Sequence, residues 1–182
     1  MVKKNIYSNL LIIAGTGTKS GKTTMACRII DQFRDLAPVA IKVSPHFHTA
    51  SRGLIALEEG PGYAVYEETN SDTSKDTARM LKAGAAKVYL MLIWDSNLEK
   101  VFRKVIDKVP SGTPVICESP ALRNYFEPGL FILMSSETTV KRQDLRYLEK
   151  LPHLEFKLEE INSIHSLPFI FSDGKWSPLE IQ

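Results

Sequence analysis

Gly15-Thr16-Gly17-Thr18-Lys19-Ser20-Gly21-Lys22-Thr23-Thr24 is the stretch on which the reading of this chain turns. Before it runs Leu10 to Ala14, a short continuous apolar segment of the kind buried on both faces of a parallel sheet. After it, Met25, Ile29, Phe33 and Leu36 recur at three-to-four spacing with Arg28, Asp31, Gln32 and Asp35 between them, which predicts an amphipathic helix opening near Gly21. The loop therefore joins a buried strand to a helix N-terminus.

That context is what a phosphate-cradling P-loop requires. Glycines let backbone N–H groups turn inward on an anion, and the helix start adds the positive end of its dipole. The expected cradle is Gly17, Thr18, Lys19, Ser20, Gly21, Lys22, Thr23 and Thr24. Lys22 would reach the terminal phosphates of a nucleoside triphosphate, and the Thr23 hydroxyl would bind Mg²⁺. The bland alternative is a Gly/Ser/Thr-rich turn carrying an incidental lysine. One irregularity stands out: the usual pattern has a glycine where this chain has Thr16, and Gly15 lies one residue earlier.

The chain has 182 residues, of which 43% are hydrophobic, enough for one domain with a real core. With 23 basic and 21 acidic side chains the formal charge is only +2, too small to imply a nucleic-acid or membrane surface. Cys27 and Cys117 each sit in apolar sequence and read as reduced packing thiols, which points to the cytoplasm. The start Met1-Val2-Lys3-Lys4 is basic, but the apolar run after it is too short for a signal segment. No stretch approaches the roughly 20 apolar residues that span a bilayer.

Moving outward from the loop, Pro38 leads into a second strand, Val39 to Val43. Leu54 to Glu59 and Tyr63 to Thr69 flank the turn Gly60-Pro61-Gly62 and predict a hairpin inserted at about residues 52–69, beside the site. A helix follows from Asp72 to Ala85, with Gly84 near its C-cap, and then a strand from Lys87 to Trp94. Leu98, Val101, Phe102, Val105, Ile106 and Val109 keep helical spacing, and Ser96 with Glu99 can form a capping box. Strands are expected at Pro114 to Cys117, Gly129 to Met134 and Pro168 to Phe171, an irregular stretch at Glu118 to Pro128, and a helix at about Thr138 to Leu151. Strands alternating with helices predict an α/β fold: a single domain, with a mostly parallel sheet flanked by helices in three layers.

The loop resembles those of dethiobiotin synthetase and the cobyrinic acid amide synthases. Ser74-Lys75-Asp76-Thr77-Ala78-Arg79 with Ala83-Gly84-Ala85 resembles the Lys-Asp-Ser, Arg, Ala-Gly-Ala signature of the molybdopterin-guanine dinucleotide biosynthesis protein B (MobB) family. Ile41-Lys42, His46-Phe47-His48 and Cys117-Glu118 resemble further features of that family, so the likeness covers roughly residues 9 to 134. It implies a GTP- or ATP-binding accessory protein of molybdenum cofactor biosynthesis, homodimeric, working with a cofactor-maturation partner protein. The chain departs from the family after Glu118, where Ser119-Pro120-Ala121-Leu122-Arg123 replaces Gly, an aromatic residue and Lys. The Asn-Lys-x-Asp motif that reads guanine is missing, so the base stays open. The dethiobiotin synthetase resemblance implies instead a ligase or small-metabolite kinase, with the hairpin as a lid.

Magnesium wants hard oxygen ligands. Glu118, ending a buried strand where α/β proteins bind ligands, is the leading carboxylate. Asp76 follows from the MobB resemblance and Asp72 from the Asn70-Ser71-Asp72 segment of the dethiobiotin kind; both also suit a helix start. Asp95 reads as an N-cap. Lys42 ends a buried strand, where its ammonium either meets an anion or snorkels to the sheet edge; with Lys22 it is the candidate catalytic pair. His46 and His48 lack a third ligand cluster and read as loop residues. Arg79 and Arg123 read equally as phosphate holders or surface charges. No general base or arginine finger is evident, so any hydrolysis would be slow.

Overall fold

The structure, a computed structural model, describes residues 5–138, 140 and 143–179. The basic start at Met1–Lys4, and part of the helix expected from Thr138, fall outside these residues.

The chain opens with β1 (Asn5–Gly15), α1 (Lys22–Gln32) and β2 (Val39–Ser44). The hairpin β3 (Leu54–Gly60) and β4 (Tyr63–Glu68) comes next, then α2 (Asp76–Lys82), β5 (Lys87–Ile93) and α3 (Asp95–Ile106). β6 (Val115–Glu118) and β7 (Phe126–Ser135) follow, and the chain closes with β8 (Leu154–Lys157), β9 (Phe169–Ser172) and β10 (Lys175–Pro178). Among the described residues, eight strands form one sheet in the order β3-β4-β5-β2-β6-β1-β7-β8. All its neighbours run parallel except the hairpin, which joins antiparallel along β5. The architecture is α/β, with a mostly parallel mixed sheet flanked by helices. No helix among the described residues is long and apolar enough to cross a membrane.

Alternation along the strands sends side chains to two cores. Leu10 and Ile12 of β1 pack with Leu98, Phe102 and Val105 of α3 on one face. Leu11 and Ile13 pack with Met25, Ile29 and Met80 of α1 and α2 on the other. The C-terminal strands belong to that second core: Leu167, Phe169 and Trp176 are buried there, and Phe33 meets Trp176 edge-on at 4.9 Å between ring centroids. The apolar segment Leu167–Phe171, open between an interface and the core, thus has its Leu167 and Phe169 side chains inside, while Ile170 is exposed.

The hairpin has nearly the expected bounds but a different place. It extends the sheet beyond β5, because Ala64, Val65 and Tyr66 are buried along that neighbour, and none of its residues lines the cleft described below. It therefore forms no wall of that cleft, and the Gly62 carbonyl of its turn accepts the Trp94 amide just past β5. The helix expected from Asp72 starts only at Asp76: Asn70 Oδ1 accepts the Asp72 amide and Thr73 Oγ1 the Lys75 amide, local bonds that compete with helix. No capping box forms at α3, where Glu99 instead accepts from Arg103 at 2.7 Å and the Asp95 carboxylate accepts the Tyr125 hydroxyl at 2.9 Å. Residues Gln143–Lys150 are 3₁₀ rather than α-helical, and β8 and β10 had no strand signal.

Arg123 is neither a phosphate holder nor a surface charge. Its side chain is 2% exposed and donates through both terminal nitrogens to the Glu127 carboxylate, at 2.8 and 2.6 Å. Arg123→Ala should cost about 2 kcal/mol of stability in urea unfolding, less than a fully buried pair because Glu127 reaches solvent.

Candidate functional site

The carboxyl ends of β1, β6 and β2 lie side by side, with Ile13 level with Glu118 and Glu118 level with Lys42. Period-two alternation then fixes direction. Ile116 and Ala40 belong to the core under α1 and α2, so Glu118 and Lys42, two residues on, face that side as well. α2 brings Asp76 to the same place with its first residue.

The result is a continuous polar chain. The Thr23 hydroxyl donates to Glu118 Oε2 at 2.7 Å, and Lys42 Nζ donates to Glu118 Oε1 at 2.9 Å and to Asp76 Oδ2 at 2.5 Å. Arg79 lies 3.7 Å from Asp76 Oδ1 and donates to Thr24 Oγ1 at 3.4 Å. Burial opposes the charge on Lys42, but the Glu118 and Asp76 carboxylates overcome it and hold the ammonium above its ordinary pKa. Burial, then the nearby Glu118 charge, pushes the Cys117 thiol well up; burial also raises Cys27, and neither cysteine is disulfide-bonded.

The Gly15–Thr24 loop closes on itself. Lys22 Nζ donates to the Gly17 carbonyl at 3.1 Å, and so does Ser20 Oγ at 3.1 Å. Gly15 accounts for the shifted glycine, since a Cβ there would overlap Ser20 Oγ. Gly21, with φ of 89°, turns the chain into α1, whose first turn has no side-chain cap. A Cβ on Gly21 would also come within 2.8 Å of Leu158.

Between the loop and the polar chain lies a cleft of about 600 Å³. Among the described residues lining it, the cations Lys19, Lys22, Lys42 and Arg79 outnumber the carboxylates Asp76 and Glu118. Gly17, Thr18, Ser20, Gly21, Thr23 and Thr24 line it too. An anion with several charges suits that balance. The hydroxyl and carboxylate of Thr23 and Glu118 are hard oxygen donors of the kind Mg²⁺ takes. No three His, Cys, Asp or Glu side chains among the described residues gather as metal ligands, so a cation there would complete its shell from bound phosphate and water.

The remaining candidates separate clearly. Asp72 is exposed and outside the cleft. His46 lies on the cleft wall with its backbone amide on Ser44 Oγ, while His48 faces its neighbour's carbonyl, that of Thr49. Asp95 lines a second cavity of about 320 Å³. Pro45, Pro120, Leu145 and Leu158 form apolar walls that carried no sequence signal.

No family model, curated protein or solved structure matches the chain. What the site can do therefore rests on its own geometry.

Lys42→Met should destabilise the fold by about 3 kcal/mol, since it leaves two carboxylates facing each other with Glu118 buried. The Lys42 pKa is raised on folding, so this contribution is fully present below the unfolded value near 10.4 and lost as pH climbs through the higher folded value. The gap between wild type and variant in urea should hold from about pH 7 to 9.5 and narrow above about pH 10.5. Thr16 makes the opposite case, because its buried hydroxyl has no hydrogen-bond partner among the described residues. Thr16→Val should leave stability unchanged or raise it by about 1 kcal/mol in the same assay.

Proposed function

We propose that the chain is a P-loop protein that binds a nucleoside triphosphate, GTP or ATP, together with Mg²⁺. The observation that carries this reading is the 2.7 Å contact between the Thr23 hydroxyl and Glu118, which sets two hard oxygens beside the lysine-bearing loop. Thr23 and Glu118 would hold Mg²⁺, which would supply positive charge against the phosphates. The loop holds the phosphates through backbone amides and the α1 N-terminus, and Lys22 exchanges the Gly17 carbonyl for a phosphate oxygen. Both carboxylates lining the cleft are already engaged, Glu118 by Thr23 and Lys42 and Asp76 by Lys42, so neither is poised to activate water and turnover is slow.

The sequence resemblance extends the reading to a pathway: a MobB-like, cytoplasmic, homodimeric accessory protein of molybdenum cofactor biosynthesis, serving a cofactor-maturation partner and neither nucleic acid nor membrane. A second reading, a dethiobiotin synthetase-like ligase or kinase, draws support from the cavity of about 320 Å³, which shares Val43, Pro45, Pro120 and Leu145 with the nucleotide cleft and has room for a small metabolite.

Calorimetric titration with ATP, GTP and their diphosphates, with and without Mg²⁺, tests the site. Wild type should bind in a Mg²⁺-dependent manner, and Lys22→Ala should weaken binding about a hundredfold. Binding that survives Lys22→Ala would defeat the assignment of the loop. Turnover that rises on adding a small organic acid would favour the ligase or kinase.

A further inference from the structure

Asp76 has two cations and one place. Its two oxygens face different partners: Oδ2 accepts from Lys42 at 2.5 Å, and Oδ1 lies 3.7 Å from Arg79. Arg79 in turn reaches Thr24 at 3.4 Å, so its guanidinium stands over the loop beside the residue that follows Thr23. Both cations line the same cleft as Lys22. Glu118 differs from Asp76 in a decisive respect, because only Glu118 touches the Thr23 hydroxyl. A cation held by Thr23 and Glu118 would therefore leave Asp76 with its two basic partners.

We propose that Asp76 is a positioning residue rather than a metal ligand: it holds Lys42 and Arg79 over the cleft, and Arg79 supplies from within the same chain a guanidinium for the outermost phosphate of the bound triphosphate. This inference rests on the nucleotide reading above. The chemistry favours it in two ways. A planar guanidinium offers paired N–H donors to a phosphate, and Asp76 leaves the Arg79 side chain 41% exposed, free to swing onto a ligand without leaving water for a dry interior. The Asp76–Arg79 separation of 3.7 Å is also looser than the Lys42 contact, so Arg79 has the weaker hold to release. A charge already placed at the developing negative phosphate is the usual way such sites lower a phosphoryl-transfer barrier.

Affinities for ATP and GTP, as β,γ-imido analogues, are compared with those for ADP and GDP in Mg²⁺-containing buffer. Arg79→Ala and Asp76→Asn should each lower the triphosphate-to-diphosphate affinity ratio about tenfold, while Asp76→Glu keeps it within about threefold. The Mg²⁺ concentration at half-saturation should rise about tenfold in Glu118→Gln and stay within about twofold of wild type in Asp76→Asn. Equal loss of diphosphate and triphosphate binding in Arg79→Ala would overturn the proposal, as would an Asp76→Asn midpoint that moves as far as that of Glu118→Gln. A wild type that binds no nucleotide defeats this proposal and the nucleotide reading together. Wild-type binding that is lost in Lys22→Ala but keeps its ratio in Arg79→Ala defeats this proposal alone.

Discussion

Lys42 and Glu118 stand level across two parallel strands, and much of the site follows from that register. A carboxylate and an ammonium placed at the buried end of a sheet are costly apart and tolerable together, since each offsets the desolvation of the other. Their contact also ties separate parts of the molecule to one point. Through Glu118 it reaches Thr23 at the start of α1, and through Lys42 it reaches Asp76 at the start of α2. Slipping β2 by one residue against β6 would turn Lys42 to the α3 face and break its contacts with Glu118 and Asp76.

The charge balance at this junction is also what makes the cleft receptive. Among the described residues two carboxylates are occupied by internal partners, yet four cations line the space, leaving an excess of positive charge where a helix start already favours anions. Further from the cleft the same economy appears in a structural role, where Arg123 is neutralised by Glu127 and lies over the Phe131 ring at 5.5 Å. Identical chemistry serves two purposes, and burial of the guanidinium separates them: Arg123 is closed in, whereas Arg79 remains open to the cleft.

Much of the fold was legible because its signals are local. Leu10–Ala14 is a continuous apolar run, Val39–Val43 and Lys87–Ile93 are apolar but for one lysine each, and buried parallel strands have that signature. The hairpin showed itself by its turn, but its destination did not, because pairing with β5 depends on residues some two dozen positions away. β8 escaped notice since only Phe156 of its four residues is buried. At the site, the loop could be read from spacing alone. Glu118 and Lys42 could be picked singly, whereas their partnership spans 76 residues and needs the sheet order. Arg123 carried a missed clue, an acidic residue four positions on. Asp76 and Asp72 could not be told apart until the Asn70 and Thr73 side chains were seen to delay the helix.

The packing of Leu158 on Gly21 joins the last third of the chain to its first motif. During synthesis the side chain that braces this turn emerges more than 130 residues after the loop itself. The turn of the Gly15–Thr24 loop is thus made well before the residue that packs on it. A nascent chain released short of that point would carry the motif without the wall that holds it in shape.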